Sequence, residues 1–384
     1  MPEAVIVSAL RTPVGTARKG TLRDTTAFDL AHHIVRAAAA GLEPDRVDDV
    51  ILGEGLYGGG VLARHAALTT GLTGIPGAAV NRHCAAGLAA VADAAASIRA
   101  GMDELVIAGG VNSASTAPKS AFRIDGAWVE PWMPPTHPNR PDAPNNDMSI
   151  TIGWNVAQRA GVSRAEMDAW ALRSHQNAVR AIDEGRFDAE LVPLDTPHGL
   201  FSVDEHPRRD TSLEKLAALK PLHPEIEGFS ITAGNACGGN DGAAALVVAN
   251  DRTAAAEGLP VLATVRSWAS VGVDPAETGL SPVKVIPKAL SRAGLTTADV
   301  DLYEINEAFA SVTVAAVRRL GLDPDRVNVN GSGCSLGHPV AATGARMLVT
   351  LVHELRRRGG GIGVAAMCAG GGMGSAMVVE VPAP

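Results

Sequence analysis

Two cysteines and a histidine, each where an apolar run meets a glycine-marked hinge, are the residues of this chain best suited to chemistry. Cys84 lies in Asn81-Arg82-His83-Cys84-Ala85-Ala86-Gly87, where the apolar run Gly77 to Val80 gives way to an alanine-rich helix starting at Cys84. Cys368 lies in Met367-Cys368-Ala369-Gly370-Gly371-Gly372, at the end of a strand-like run, and between the two cysteines Gly337-His338-Pro339 opens another helix. At a helix start, free N–H groups and the positive end of the dipole favour a thiolate, the nucleophilic form of cysteine. His338, fixed at a helix mouth by Pro339, could accept the Cys84 proton and donate to a developing oxyanion. The glycines after Cys368 expose N–H groups suited to an oxyanion site. One nucleophilic thiol, one imidazole and a second thiol suffice for acyl transfer on a thioester. Each cysteine could equally be a packed core thiol, and the histidine a helix cap.

A third segment, Glu304-Ile305-Asn306-Glu307-Ala308-Phe309-Ala310, follows the strand-like Val300 to Tyr303. Asn306 could orient a water or a substrate oxygen, and Glu304 or Glu307 could be a carboxylate base. An ordinary helix start would favour the same residue types.

Strand-like and helix-like runs alternate along the chain, which argues for an α/β architecture beginning with a strand at Met1 to Ser8. The stretch Ser113 to Asp147 breaks this alternation with Pro131, Pro134, Pro135, Pro138, Pro141 and Pro144. Such a stretch cannot supply central strands and reads as an ordered loop or lid. A helical segment, Met148 to Gly185, follows with Ser149 at its start, and then a charged stretch, Val203 to Lys220. An internal repeat is also visible. Strand, Asn81, helix from Cys84 to Gly101 and strand Leu105 to Gly110 recur as Val327 to Asn330, helix from His338 to Gly359 and strand Ile362 to Gly370. Leu88, Val91, Ala95 and Ile98 share one helix face, as do Leu348, Leu351, Val352 and Leu355. Two similar lobes would bring Cys84 and His338 together near a pseudo-twofold axis.

Length and composition bound the rest. At 384 residues and 46% hydrophobic content, the chain can form one large α/β unit or two fused ones. Aromatics are only 3%, so helices must pack closely on sheets through small side chains. The net charge of −8 and the lack of a long basic block speak against nucleic acid as a partner, and Arg356-Arg357-Arg358 suits a helix C-terminus. No apolar run is long enough to span a membrane and no secretory leader is apparent at the N-terminus. Cys84, Cys237, Cys334 and Cys368 show neither CxxC pairing nor zinc-ligand spacing, so no metal is expected and a reducing cytoplasm fits.

Taken together, Asn-x-x-Cys-Ala-x-Gly, Asn-Glu-Ala-Phe-Ala, Gly-His-Pro and Cys-Ala-Gly-Gly-Gly-Met-Gly resemble the thiolases, in that order and over the whole chain. Val7-Ser8-Ala9-Leu10-Arg11-Thr12-Pro13-Val14-Gly15, Thr232-Ala233-Gly234-Asn235-Ala236 and Asn240-Asp241-Gly242-Ala243-Ala244 look similar as well. The resemblance implies a duplicated, layered α-β-α-β-α fold. Residues 1–112 with 235–250 would form the N-terminal lobe, 113–234 an inserted loop domain that binds coenzyme A and covers the site, and 251–384 the C-terminal lobe. It also implies a homodimer or homotetramer.

The implied reaction is ping-pong. A 3-oxoacyl-CoA acylates Cys84 and releases acetyl-CoA, then CoA removes the shortened acyl group; the reverse is a Claisen condensation. His338 would activate Cys84, and Cys368 would be the second acid/base. One oxyanion hole would use His338 and a water held by Asn306; the other would use the backbone N–H groups of Cys84 and Gly370. Coenzyme A would be a substrate, with no covalently bound cofactor. Arg208 would lie near its nucleotide end, Met148 near its pantetheine, and Cys237 where relatives contact it through serine.

Departures from the family pattern are His83, Ala86, Asp147, Trp154, Cys237, Cys334 and Val340. The stretch Trp128 to Asn146 is the expected place for acyl-chain selectivity. Three rivals are weighed: a ketoacyl synthase, whose third group would be a histidine rather than Cys368; a non-catalytic acyl-CoA carrier; and a dinucleotide-dependent oxidoreductase using Gly331-Ser332-Gly333 as a phosphate loop, although its spacing is not GxGxxG.

Overall fold

The structure, a computed structural model, describes residues 2–55, 57, 59–130 and 134–383. The first half comprises β1 (Ala4–Arg11), β2 (Gly15–Thr16), α1 (Ala27–Ala38), β3 (Asp49–Gly53), α2 (Val61–Thr69), β4 (Gly77–Val80), α3 (Ala86–Ala100) and β5 (Leu105–Ser113). The chain then leaves the main sheet. It forms the hairpin β6 (Phe122–Ile124) and β7 (Ala127–Val129), helices α4 (Asn155–Ala160) and α5 (Arg164–Asp183), the hairpin β8 (Leu194–Thr196) and β9 (Gly199–Phe201), and α6 (Leu213–Ala217). β10 (Asn240–Asn250) rejoins the sheet, and α7 (Asp251–Glu257) leads to the second half. That half comprises β11 (Ala263–Gly272), α8 (Ser281–Arg292), β12 (Leu302–Ile305), α9 (Ala310–Leu320), α10 (Thr343–Arg357), β13 (Gly361–Ala369) and β14 (Met373–Val381).

Strand order is β12-β13-β14-β11-β1-β10-β5-β3-β4, with β2 added on β10. Read outward from the β1–β11 contact, β10, β5 and β3 on one side mirror β14, β13 and β12 on the other. The duplication expected from sequence is therefore carried by the whole sheet. Strands β3, β5, β10, β12, β13 and β14 are buried almost throughout, on both faces, which explains their unbroken apolar runs, whereas β4 is half-buried and β11 alternates. Ala4 and Ile6 of β1 face a central cluster with α3 and α10, while Val5 and Val7 face an outer cluster with α1 and α2. In β13, Ala365 and Met367 face the central cluster, and Val364 and Ala366 pack with α8 and α9. Five layers follow: helices, sheet, the α3–α10 pair, sheet, helices.

Glycines allow the two central helices to touch backbone to backbone. A Cβ on Gly87 would sit 2.7 Å from the Ala341 carbonyl, and one on Gly344 2.5 Å from the Leu88 nitrogen. Alanine or larger at either position would force the helices apart. This contact brings the segments entering α3 and α10 together, and with them the cysteine and histidine motifs.

The expected boundaries shift in places. α3 starts at Ala86, two residues after Cys84, and α10 at Thr343, five after His338. Pro339 belongs to the turn before α10, where its carbonyl accepts from Ala342 N and Thr343 N at 2.8 and 2.9 Å. The Met148–Gly185 segment is two helices, not one. A π-helical turn at Ser149–Trp154 runs into α4, Gly161 ends α4 in a left-handed conformation (φ 61°), and Ser163 caps α5 through a capping box with Glu166. Val327–Asn330 is not a strand. Only Val327 bridges Tyr303, and the Asn328 side chain takes over the pairing, accepting from Ile305 N and donating to Ile305 O, each at 2.8 Å.

The proline-rich stretch contributes no strand to the main sheet. It opens with the exposed β6–β7 hairpin, turned by Asp125-Gly126 with φ of 50° and 85°. Pro131 and the rest of 131–133 lie outside the described residues. Farther on, Arg140 forms a two-pronged ion pair with Asp274 at 2.7 and 2.9 Å, tying this stretch to the second half. A buried pair of ion bridges, Arg11 to Asp204 (2.8 Å) and to Glu190 (2.6 Å), fastens the segment around Asp204 to the end of β1.

Candidate active site

The nucleophile candidate sits on a strained elbow. His83 holds a left-handed backbone (φ 48°) unusual for a residue with a side chain. Asn81 Oδ1 accepts from its N–H at 3.0 Å, and the Arg82 and His83 carbonyls accept from Ala85 N and Ala86 N, each at 3.0 Å. The turn closes before α3, so Cys84 precedes the helix, whose first residue is Ala86.

The Cys84 sulfur instead lies against two backbone N–H groups, those of Gly370 and of Cys84 itself. Burial raises its pKa, and these two donors only partly offset that, so the resting group is a thiol. The thiolate expected from the helix dipole is corrected accordingly. Cys368 and Cys237 lie close enough to Cys84 for their charges to be felt, and burial raises both, Cys237 to about 12. The space above Gly370 is walled by His83 and Met148: a Cβ there would meet His83 Cγ at 3.8 Å and Met148 Sδ at 4.0 Å.

His338 is 4% exposed. Its N–H donates to Asn240 Oδ1 at 2.9 Å, and its Nδ1 lies 2.7 Å from Thr343 Oγ1. The Thr343 hydroxyl donates its one proton to the Pro339 carbonyl at 2.9 Å, so it accepts from Nδ1–H. That arrangement assigns the proton to Nδ1 and leaves the Nε2 lone pair free. Burial, with the nearby Arg346 charge, holds His338 down to about 3, so the ring is neutral at ordinary pH. Asn306 is fully buried. Its amide is a long 3.5 Å from the imidazole, and its Oδ1 has no hydrogen-bond partner among the described residues. An orphaned buried acceptor beside a neutral imidazole calls for a donor from outside the chain, such as water.

Neither glutamate of the third segment is a base. Glu307 accepts from Trp170 Nε1 (2.8 Å), Ser174 Oγ (2.6 Å), Asn328 Nδ2 (2.8 Å) and Cys334 N (3.1 Å). It thereby holds the Gly331–Gly337 loop, with its own carboxylate where a phosphate loop would hold a ligand, and the dinucleotide reading falls. Glu304 pairs with the buried Arg346 at 3.3 Å, and burial raises it to about 8. Thr343 and Arg346 escaped the sequence reading, and Asn240 entered it only as part of a family-like stretch, with no role assigned. Thr343 carries no signal unless the turn between His338 and α10 is known.

A cleft of about 890 Å³ lies beside this centre; Cys84, His338 and Cys368 do not line it, but Cys237, close enough to Cys84 for its charge to be felt, does. Cys237 and Cys334 line it together with Ala236 and Gly238, with Arg208 and the neutral His206 among its polar lining. Cys237 and Arg208, two of the three expected coenzyme contacts, are thus on one cleft. Met148 does not line it; it sits beside Gly370. The stretch expected to select the acyl chain divides similarly: Trp128 is 71% exposed, whereas Thr136 packs where a Gly371 Cβ would be, 2.9 Å away. Among the departures, Ala86 is buried at the start of α3, Trp154 packs on Phe229 with ring centroids 5.1 Å apart, and Val340 is 38% exposed. Asp147 pairs with His223 at 2.9 Å. Among the described residues, no three His, Cys, Asp or Glu side chains gather as a metal site, and no helix is long and apolar enough to cross a membrane.

Residues 4–252 match the model of the thiolase N-terminal domain, and residues 259–381 that of the thiolase C-terminal domain. The chain belongs to the thiolase family. It is 42% identical to an acetyl-CoA acetyltransferase of Escherichia coli (strain K12), over 99% of each chain. It is 39% identical to a 3-ketoacyl-CoA thiolase of Bacillus subtilis (strain 168), covering 99% of this chain and 100% of that one. The crystal structure of the Bacillus anthracis acetyl-CoA acetyltransferase superposes with a TM-score of 0.90 at 39% identity over 99% of both chains. Human mitochondrial 3-ketoacyl-CoA thiolase gives 0.90 at 35%, over 100% of this chain and 99% of that one. As a thiolase, the protein is an acyltransferase whose reaction is thiolytic cleavage of a 3-oxoacyl thioester or the reverse condensation.

Proposed function

We propose that Cys84 is the acylated nucleophile, that His338 removes its proton through Nε2, and that Cys368 is the second acid/base. The observation that carries this reading is the Cys84 sulfur resting against the N–H groups of Cys84 and Gly370. Those donors suit the oxyanion formed when the sulfur attacks a thioester carbonyl. In cleavage, Cys84 attacks the 3-oxo carbon, the C2–C3 bond breaks, and the departing enolate of acetyl-CoA takes a proton from Cys368. The enolate oxygen would lie between His338 and a water held by Asn306, whose orphaned Oδ1 supports that role. CoA then enters as a thiol, gives its proton to the Cys368 thiolate and attacks the acyl carbonyl; the shortened acyl group leaves on CoA, and Cys84 departs as a thiolate that takes back the proton held on His338.

Coenzyme A would occupy the 890 Å³ cleft with its thiol end near Cys237 and its nucleotide near Arg208, while Met148 borders the acyl side. Residues 113–234 would act as the inserted CoA-binding and lid domain between a lobe of 1–112 with 235–250 and a lobe of 251–384. A homodimer or homotetramer is proposed, supported by the exposed apolar side chains Ile124, Trp128 and Val129 on the β6–β7 hairpin. Four free cysteines support a reducing, cytoplasmic setting, with fatty-acid and lipid metabolism as the pathway class.

The test is a panel of short, long and branched 3-oxoacyl-CoA substrates with CoA, following loss of the 3-oxo thioester. Cleavage that disappears in Cys84→Ala is expected. Cleavage that survives the substitution rejects Cys84 as the nucleophile, and no cleavage across the panel rejects the assignment and revives the carrier reading.

A further inference from the structure

The cleft carries more positive charge than the family resemblance assigns, and most of its charges can be accounted for one by one. Five cations line it: Arg18, Lys19, Arg208, Arg209 and Lys215. Arg209 is held by Asp183 at 2.6 Å and Lys215 by Asp210 at 2.7 Å. Glu205, also on the lining, accepts from Thr16 N (2.7 Å), Thr21 N (3.0 Å) and Thr21 Oγ1 (2.8 Å), so its charge serves to pin the turn after β2. The side chains of Arg18, Lys19 and Arg208 remain, exposed and without a hydrogen-bond or ion-pair partner among the described residues.

These three converge from two separate parts of the chain. Arg208 belongs to the segment after β9, and Arg18 and Lys19 to the turn after β2. Burial and the charges of both Arg208 and Lys19 lower His206 to about 4, so both cations lie close to one neutral imidazole, which lines the same cleft. The turn is rigid. Arg18 takes a left-handed backbone (φ 67°), its N–H donates to Ser115 Oγ at 2.6 Å, and Thr16 Oγ1 lies 3.2 Å from His206 Nδ1. Three cations without an ion-pair partner on the lining of one cleft, on a chain of net charge −8, mark a place for a polyanion.

We propose that Arg18 and Lys19 form the second wall of a phosphate clamp, closing on the phosphate groups of coenzyme A opposite Arg208. The clamp rests on the reading that the cleft holds coenzyme A. It would join the N-terminal lobe to the inserted segment through the ligand, so that substrate binding itself fixes the two together. Arg18 and Lys19 touch no reacting atom and act on affinity alone.

The experiment is calorimetric titration of wild type, Arg18→Ala/Lys19→Ala and Arg208→Ala with CoA, dephospho-CoA and pantetheine, alongside steady-state kinetics. The double substitution should raise Kd and KM for CoA about tenfold, as expected for two exposed charge-assisted contacts. Its kcat and thermal midpoint should stay unchanged, and Lys19→Arg should restore most of the affinity lost in Lys19→Ala. A loss seen with CoA but not dephospho-CoA supports contact with the 3′-phosphate; a loss with both supports contact with the diphosphate. Unchanged CoA affinity in the double variant overturns the clamp while leaving the cleft reading intact. A wild-type chain that binds CoA no better than pantetheine overturns the clamp too, and one that binds neither overturns the cleft reading with it.

Discussion

Replacing Thr343 by valine tests how the imidazole is prepared for its task. The hydroxyl accepts from His338 Nδ1–H at 2.7 Å while donating to Pro339 O, and both groups are buried. Valine keeps the shape and removes both bonds. An unpaired buried N–H costs about 1–3 kcal/mol, and the ring avoids that cost by moving its proton to Nε2, the nitrogen that must be free to take the Cys84 proton. If the full penalty falls on the transition state, kcat drops roughly five- to 150-fold. KM for CoA should hold, because Thr343 does not line the cleft. Stopped-flow kinetics of 3-oxoacyl-CoA cleavage would measure both parameters, with thermal unfolding as the control and Thr343→Ser expected to recover most of the rate. Wild-type kcat in a stably folded Thr343→Val protein would refute the argument that this hydroxyl sets the tautomer. A rise in KM alone would refute it as well.

Two other outcomes follow from the same geometry. Cys368→Ala should still be acylated on Cys84 by acetyl-CoA, but deuterium exchange into the acetyl methyl group should fall by at least about 10²-fold; NMR of acetyl-CoA in D2O reads this directly, and retained exchange would remove Cys368 from the role of acid/base. His223 is held by Glu225 at 2.8 Å and Asp147 at 2.9 Å, which raise its pKa. Stabilisation from a raised imidazole is complete below the unfolded value of about 6.5 and is lost as pH rises through the folded value. The thermal-midpoint advantage of wild type over His223→Gln should therefore be present in mild acid and vanish in mild alkali. An advantage that grows with pH would contradict the pairing.

The parts of the fold visible in sequence were those set by local composition. Unbroken apolar runs marked strands buried on both faces, and the recurrence around Cys84 and His338 revealed the duplication. What stayed hidden depended on partners far away in the chain. Glu304 and Glu307 look alike on paper, yet one is saturated by Trp170, Ser174, Asn328 and Cys334 and the other is buried against Arg346. A helix start at His338 was a fair reading of His-Pro, but the Pro339 carbonyl gathers a turn that delays α10 to Thr343, and that delay delivers the hydroxyl to the imidazole. The thiolate reading of Cys84 failed because burial outweighs the two N–H donors at its sulfur. Asp125-Gly126 did carry a hairpin signal of its own, masked by the prolines that follow.

The most direct measurement is to incubate the protein with acetyl-CoA, quench in acid, and locate the acetyl group by peptide mass spectrometry. A single acetyl on the peptide bearing Cys84, absent in Cys84→Ala and discharged by added CoA, is the predicted result. An acetyl group on Cys237 or Cys368 instead, in protein that turns over substrate, would contradict the assignment of Cys84 as the nucleophile.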